Sequence, residues 1–178
     1  MNPLATVGTY FQMRFKLING IYFYGQMLDI PDTSRVSNFL SARRYLRTKP
    51  KVVIKPGDVF VANGLKYIIA EHGDGYYKEV IYKHFKLFEA DMVLNHTRIV
   101  PTKDSLTGLN SYDTTTQLGT VYLSSQPHAN TEDSIRIPQE VKIAVCNKEV
   151  KVEDKVGDFI VVKSDKVLGV YLLELKVP

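Results

Sequence analysis

Lys-Pro-Gly-Asp-Val-Phe-Val-Ala-Asn-Gly-Leu-Lys-Tyr-Ile-Ile-Ala, residues 55–70, spells out a β-hairpin. Gly57-Asp58 makes a corner, and Val59–Ala62 and Leu65–Ala70 are short apolar strands. Asn63-Gly64 between them reads as a type I′ turn, because both residues tolerate positive φ. A second stretch, residues 155–173, reads Lys-Val-Gly-Asp-Phe-Ile-Val-Val-Lys-Ser-Asp-Lys-Val-Leu-Gly-Val-Tyr-Leu-Leu. It repeats the order of Gly-Asp corner, apolar strand, polar turn and apolar strand. A hairpin used twice as a building block argues for an all-β fold and against a helical or α/β scaffold.

The flanking sequence carries the same texture. Phe11, Met13, Phe15 and Leu17 alternate with Gln12, Arg14 and Lys16, the period of a half-buried strand. Asn19-Gly20 predicts a second type I′ hairpin, with Ile21–Tyr24 as a return strand that is apolar or aromatic on both faces. Val36, Phe39, Leu40 and Leu46 have partial helical spacing behind Asp32 or Ser34 as a cap, so one short helix is expected there. Pro50 and Pro56 bracket Val52-Val53-Ile54, a minor strand, and Gly73-Asp74-Gly75 is expected to reverse the chain. Tyr76–Met92 fits a helical stripe and a strand almost equally, and its aromatic content favours strand. From Pro138 onward, Val141, Ile143 and Val145 alternate with Lys142 and Ala144. These strands, at close spacing, read as a small β-barrel or a sandwich of hairpins.

Two segments break the pattern. Twelve of the 33 residues from Thr102 to Ser134 are Ser or Thr. A polar stretch of this length is either a surface loop or an arm that orders on a partner subunit, with Val121, Tyr122 and Leu123 as its anchoring strand. The other is a basic insertion over residues 31–51. The expected organisation is one barrel-like domain over 1–178, interrupted by these two.

The charge is uneven. Residues 1–100 carry 14 basic and 8 acidic side chains, a net +6, and residues 101–178 a net −2. Arg35, Arg43, Arg44, Arg47, Lys49, Lys51 and Lys55 follow one another with no acid between Asp32 and Asp58. Such a run is either a solvated face or a contact for an anionic partner, a nucleic acid or an acidic protein surface. With Phe39 and Tyr45 interleaved, an OB-like nucleic-acid-binding barrel is one reading.

Catalytic chemistry finds no foothold. His72, His84, His96 and His128 lack the short spacing of zinc ligands. Cys146, the only cysteine, sits in an apolar run and reads as a buried, inert thiol. Asp58 and Asp158 could be imagined as paired acids, but Asp after Gly is more simply a turn residue bonding nearby amides. Neither an enzyme nor a cofactor is expected. No run reaches the roughly 18–20 apolar residues of a transmembrane helix, so no membrane is expected as a partner.

Residues 150–160 and 169–175 resemble the C-terminal strands of tailed-bacteriophage neck proteins, the head-closure (stopper) and head–tail connector family. Gly57–Phe60, Asn63–Ile69 and Phe85–Ala90 are similar to their central hairpin and following strand. The resemblance implies a small β-barrel and a non-enzymatic virion subunit, assembled in the host cytoplasm. It implies a homo-oligomeric ring joining the portal or an adaptor to tail proteins. Such a ring helps retain packaged DNA and makes non-specific contact with it.

Overall fold

The computed structural model describes residues 13–29, 44–77, 79–103, 106–108, 110–125 and 141–178, and those residues are all-β. Six strands form a first closed antiparallel barrel: β1 (Met13–Leu17), β2 (Tyr22–Asp29), β3 (Arg44–Thr48), β4 (Val59–Ala62), β5 (Leu65–Tyr77) and β6 (Glu79–Glu89). Six more form a second: β7 (Met92–Lys103), β8 (Asn110–Ser125), β9 (Val141–Cys146), β10 (Lys155–Val156), β11 (Phe159–Val167) and β12 (Val170–Lys176). The order round the first is β1-β2-β3-β6-β5-β4, closed by β4 on β1; round the second it is β7-β8-β9-β12-β11-β10, closed by β10 on β7. The chain therefore uses one topology twice, where one barrel-like domain was expected. Closure removes the open edges within each barrel.

Alternation sorts the side chains. Phe15, Phe23 and Phe60 point into the first barrel, with ring centroids 5.1–5.6 Å apart, and Leu46, Tyr67, Ile69, Phe85 and Leu87 complete that core. Val121, Leu123, Ala144, Cys146, Val156, Val161, Leu173 and Leu175 fill the second. A third core lies between the barrels, where Val59, Ile68, Ala70 and Phe88 of the first meet Val145 and Val170 of the second. Residues 67–70 are thus buried on both faces, which explains their unbroken apolar run. The joint is tight. Gly57 has φ +90°, and a β-carbon there would lie 2.5 Å from the Asn147 carbonyl oxygen.

The repeated corner is not where the sequence put it. The Asp58 carboxylate accepts from the Lys55 amide at 2.9 Å, while the Asp58 carbonyl accepts from Ile69 N at 2.9 Å. The same two bonds recur as Lys151 N to the Asp154 carboxylate, 2.9 Å, and Val161 N to the Asp154 carbonyl, 3.0 Å. Glu153, at φ 74°, stands where Gly57 stands in the first barrel. Gly157-Asp158 is instead the β10–β11 turn, in the place of Asn63-Gly64.

Other expectations change for physical reasons. Asn63 (φ 51°) and Gly64 (φ 77°) form the expected I′ turn, but at Asn19-Gly20 only Gly20 has positive φ. With Gly20 N bonded to the Leu17 carbonyl and Leu17 N to that of Ile21, the hairpin is a type I turn with a bulge at Gly20. Leu46 lies on strand β3 rather than on a helix, and residues 36–43 fall outside the described residues. Val52-Val53-Ile54 makes no strand; Ile54 plugs the first core while Val53 is 89% exposed. Gly73-Asp74-Gly75 does not turn the chain but runs within β5 between two register shifts opposite β6. Residues 110–125, expected as loop or arm, are strand β8, because Val121 and Leu123 alternate into the second core.

Candidate functional site

The outer face of the first barrel gathers side chains that no sequence window places together. Arg14 and Lys16 of β1 stand opposite Tyr24 and Tyr22 of β2. The Arg14 guanidinium lies 4.0 Å from the Tyr22 ring centre, and the Lys16 ammonium 5.4 Å. Both tyrosines remain half exposed, at 51% and 53%. Beside them Lys49, Lys51, Val52 and Val53 complete a groove of about 470 Å3. Further across the sheet Gln26, Arg47 and His84 form a row over β2, β3 and β6. Arg47 stacks 4.4 Å from the Tyr82 ring centre, with its buried Nε unpartnered. None of the outward residues named on these strands is acidic.

This redistributes the basic run. Arg35 and Arg43 lie outside the described residues. Arg44 turns to the barrel mouth, where its Nε donates to Asp29 at 2.9 Å and its Nη1 to the Tyr67 hydroxyl, with Glu89 at 4.0 Å. It is neutralised and serves the fold. Lys55 is an exposed residue of the Gly57-Asp58 corner. Only Arg47, Lys49 and Lys51 join the outer face, so the described part of the run makes no continuous track. Val121, Tyr122 and Leu123, expected to anchor an arm on a partner subunit, pack within this chain. Val121 and Leu123 are fully buried in their own barrel, and Tyr122 packs into the core between barrels.

A second cluster lies at the mouth of the second barrel. His96 Nε2 is 2.7 Å from Asp154 Oδ2, and both side chains are 3% exposed. Arg98 donates to the same carboxylate through Nε at 2.6 Å and Nη2 at 2.7 Å. Burial opposes the charge on Asp154, but the bonds from Arg98, His96 and the Lys151 amide outweigh it, holding the carboxyl down at about 2. A cleft of about 260 Å3 beside it is lined by His96, Arg98, Leu118, Lys148, Glu149 and Lys151. Sequence reasoning passed over this pair. The available signal was the spacing Lys151…Asp154, which matches Lys55…Asp58. Burial pushes the Cys146 thiol up to about 11, as an inert core cysteine requires. Among the described residues no group of three His, Cys, Asp or Glu could hold a metal ion, and no helix is long and apolar enough to cross a membrane.

The strands β7 and β8 run on past the barrel. His96 and Thr97 still pair with β10, and Leu123–Ser125 with β9, but, among the described residues, 98–103 and 110–116 pair only with each other. This two-stranded ribbon exposes Ile99 and Val100, with Leu118 at its root and Leu106 near its tip at 94% exposure.

No protein-family model, no curated protein and no solved structure matches this chain.

Proposed function

We propose that the protein is a structural virion subunit of a tailed phage, forming a ring that connects the portal and head to the tail and helps retain packaged DNA. The observation that carries this reading is the β7–β8 ribbon. Among the described residues its strands pair only with each other beyond the second barrel, and it displays apolar side chains to solvent. An isolated two-stranded ribbon is marginal in water and gains most by packing on another surface. Two sealed barrels joined by a buried core make a stiff body from which such a ribbon can reach a neighbouring subunit. The strand and turn texture shared with head-closure and connector proteins supports the same role. The OB-like alternative has less support, since each barrel has six strands and an OB-fold has five.

Native mass spectrometry and negative-stain microscopy test the reading, with the protein alone and mixed with portal and tail proteins of its own phage. Rings are expected. Replacing residues 99–116 by a two-residue Asn-Gly turn should leave both barrels folded and abolish the rings. A monomer that never binds portal, adaptor or tail proteins removes the proposal.

A further inference from the structure

The doubled topology allows the two barrels to be compared position by position. Asp58 corresponds to Asp154, so Phe60 corresponds to Val156, and their partners Leu17 and His96 correspond in turn. Following the ladders through the first and second strands pairs Tyr24 with Tyr122 and Arg47 with Val145. The opposite route, through Ile69 and Val161, pairs Leu87 with Leu175 and hence His84 with Leu172. Arg47 faces His84 and Val145 faces Leu172, so both routes agree.

In the second barrel, Tyr122, Val145 and Leu172 form the apolar face that docks onto the first barrel. In the first barrel the corresponding face is Tyr24, Arg47 and His84. One copy of this face is therefore a buried interface. The other is left outside, keeping its tyrosine but with the positions of Val145 and Leu172 given to Arg47 and His84.

We propose that this outer face of β1, β2, β3 and β6 binds single-stranded nucleic acid. The charge argument is direct. Arg14, Lys16, Lys49 and Lys51 surround Tyr22 and Tyr24, with no carboxylate among them. The favoured occupant is anionic, since four uncompensated cations repel a cationic partner and gain nothing comparable from a neutral one. Stacking narrows the class. Tyr22 and Tyr24 are half exposed, held on a rigid sheet, and flanked by cations already placed for phosphates. Successive bases stack on such platforms while the backbone follows the charges. Four strands at about 4.8 Å spacing give a face about 14 Å across, room for a few extended nucleotides.

The test is fluorescence anisotropy of full-length protein with a labelled oligo-thymidylate about twenty nucleotides long, near the single-strand site sizes of such barrels. Binding should weaken with salt at a logarithmic slope of about −2 to −3, from about −0.7 per phosphate neutralised. Tyr22→Ser with Tyr24→Ser should weaken it roughly thirtyfold or more while leaving the slope unchanged. Arg14→Ser with Lys16→Ser should reduce the slope by about one. Lys155→Ser with Lys166→Ser, exposed cations of the second barrel, is the control and should change neither. All these side chains are outside the cores, and a near-native thermal transition checks each fold. Absence of binding at low salt overturns the proposal, as does equal loss in the control variant. Equal affinity for duplex DNA with no effect of the tyrosines overturns it in favour of backbone contact alone. Displacement by polyglutamate as effectively as by unlabelled oligonucleotide overturns it in favour of an acidic protein surface. Ring assembly is read separately, so the ring proposal stands or falls independently of this result.

Discussion

Asp154→Asn should destabilise the protein by about 3 kcal/mol at neutral pH, and part of that difference should vanish in acid. The carboxylate accepts from Arg98 twice, from His96, and from the Lys151 amide, while only 3% of its side chain is exposed. Lowering its pKa from 3.8 to about 2 means that the fold favours the charged form by about 2.4 kcal/mol, at 1.36 kcal/mol per unit. The asparagine amide removes that preference and also turns a donor toward donors already present. Breaking one partner out of a buried ionic group typically costs about 3–5 kcal/mol. Arg98 keeps partial access to water, so the lower end applies. For a chain of this size the melting temperature should fall by about 6–12 °C.

The pH dependence has a definite sign. The folded pKa is depressed, so the unfolded chain takes up the proton first. The stabilisation is complete well above pH 3.8, fades as pH falls through that value, and is gone below the folded pKa of about 2. By pH 3 about 1 kcal/mol should be lost from the wild type and not from the variant. Urea denaturation at pH 6 and pH 3 measures both. The gap between the two proteins should shrink from about 3 to about 2 kcal/mol. A gap that stays constant, or a variant as stable as wild type at pH 6, would falsify the assignment of Asp154 as a charged, satisfied hub.

Three further outcomes follow from the packing. Gly57→Ala should cost about 2–4 kcal/mol in chemical denaturation, because it combines φ +90° with a β-carbon 2.5 Å from the Asn147 carbonyl oxygen. Glu153→Gly, at the equivalent corner with φ 74°, should change stability in the opposite direction, by about +0.5 to +1 kcal/mol. Phe88→Ala, in the core between the barrels, should cost about 3–5 kcal/mol, and calorimetry should show the two barrels melting less cooperatively.

The sequence shows most of the strands because they alternate cleanly: Phe15 and Leu17 face inward, while Arg14 and Lys16 face out. The Asn63-Gly64 turn is legible for the same kind of local reason. What escapes is whatever depends on partners distant in the chain. Residues 110–125 look too polar for a packed element, yet Val121 and Leu123 reach the second core. Thr115, Thr116 and Thr120 stay exposed. The turn at Asn19-Gly20 is decided by where Leu17 and Ile21 meet across the hairpin, which dipeptide identity does not encode. The described part of the basic run is divided because period two sends Arg44 to the barrel mouth and Arg47 to the outside. The outer face, conversely, draws on four strands whose residues lie up to about 70 positions apart, so no local window contains it.

The paired Gly-Asp stretches illustrate how an apparent repeat and a real one can differ. Letter identity aligns Gly57-Asp58 with Gly157-Asp158, whereas hydrogen bonding aligns it with Glu153-Asp154. The conserved physical element is an aspartate that caps the amide three residues before it and opens a strand. Glycine in front of it is dispensable, at the strain that Glu153 bears. Once that alignment is adopted, the differences between the barrels become interpretable. Leu17, a plain core residue, has His96 as its counterpart, and the second barrel holds a buried ionic pair at the position where the first holds a leucine side chain. Such a pair is tolerable only when every lone pair and proton is placed, which is why four donors converge on Asp154. Arg47 and His84 depart from their counterparts Val145 and Leu172 in the other direction, from an apolar docking face to a polar one, while Tyr24 keeps the tyrosine of Tyr122. Identical frameworks thus diverge at the two kinds of position that bear on binding: a mouth, and a face. Both differences concern how charge is presented on a rigid scaffold. A binding function for the first barrel therefore requires no rearrangement of its core, and variants at Tyr22, Tyr24, Arg14 and Lys16 can change binding without changing the fold.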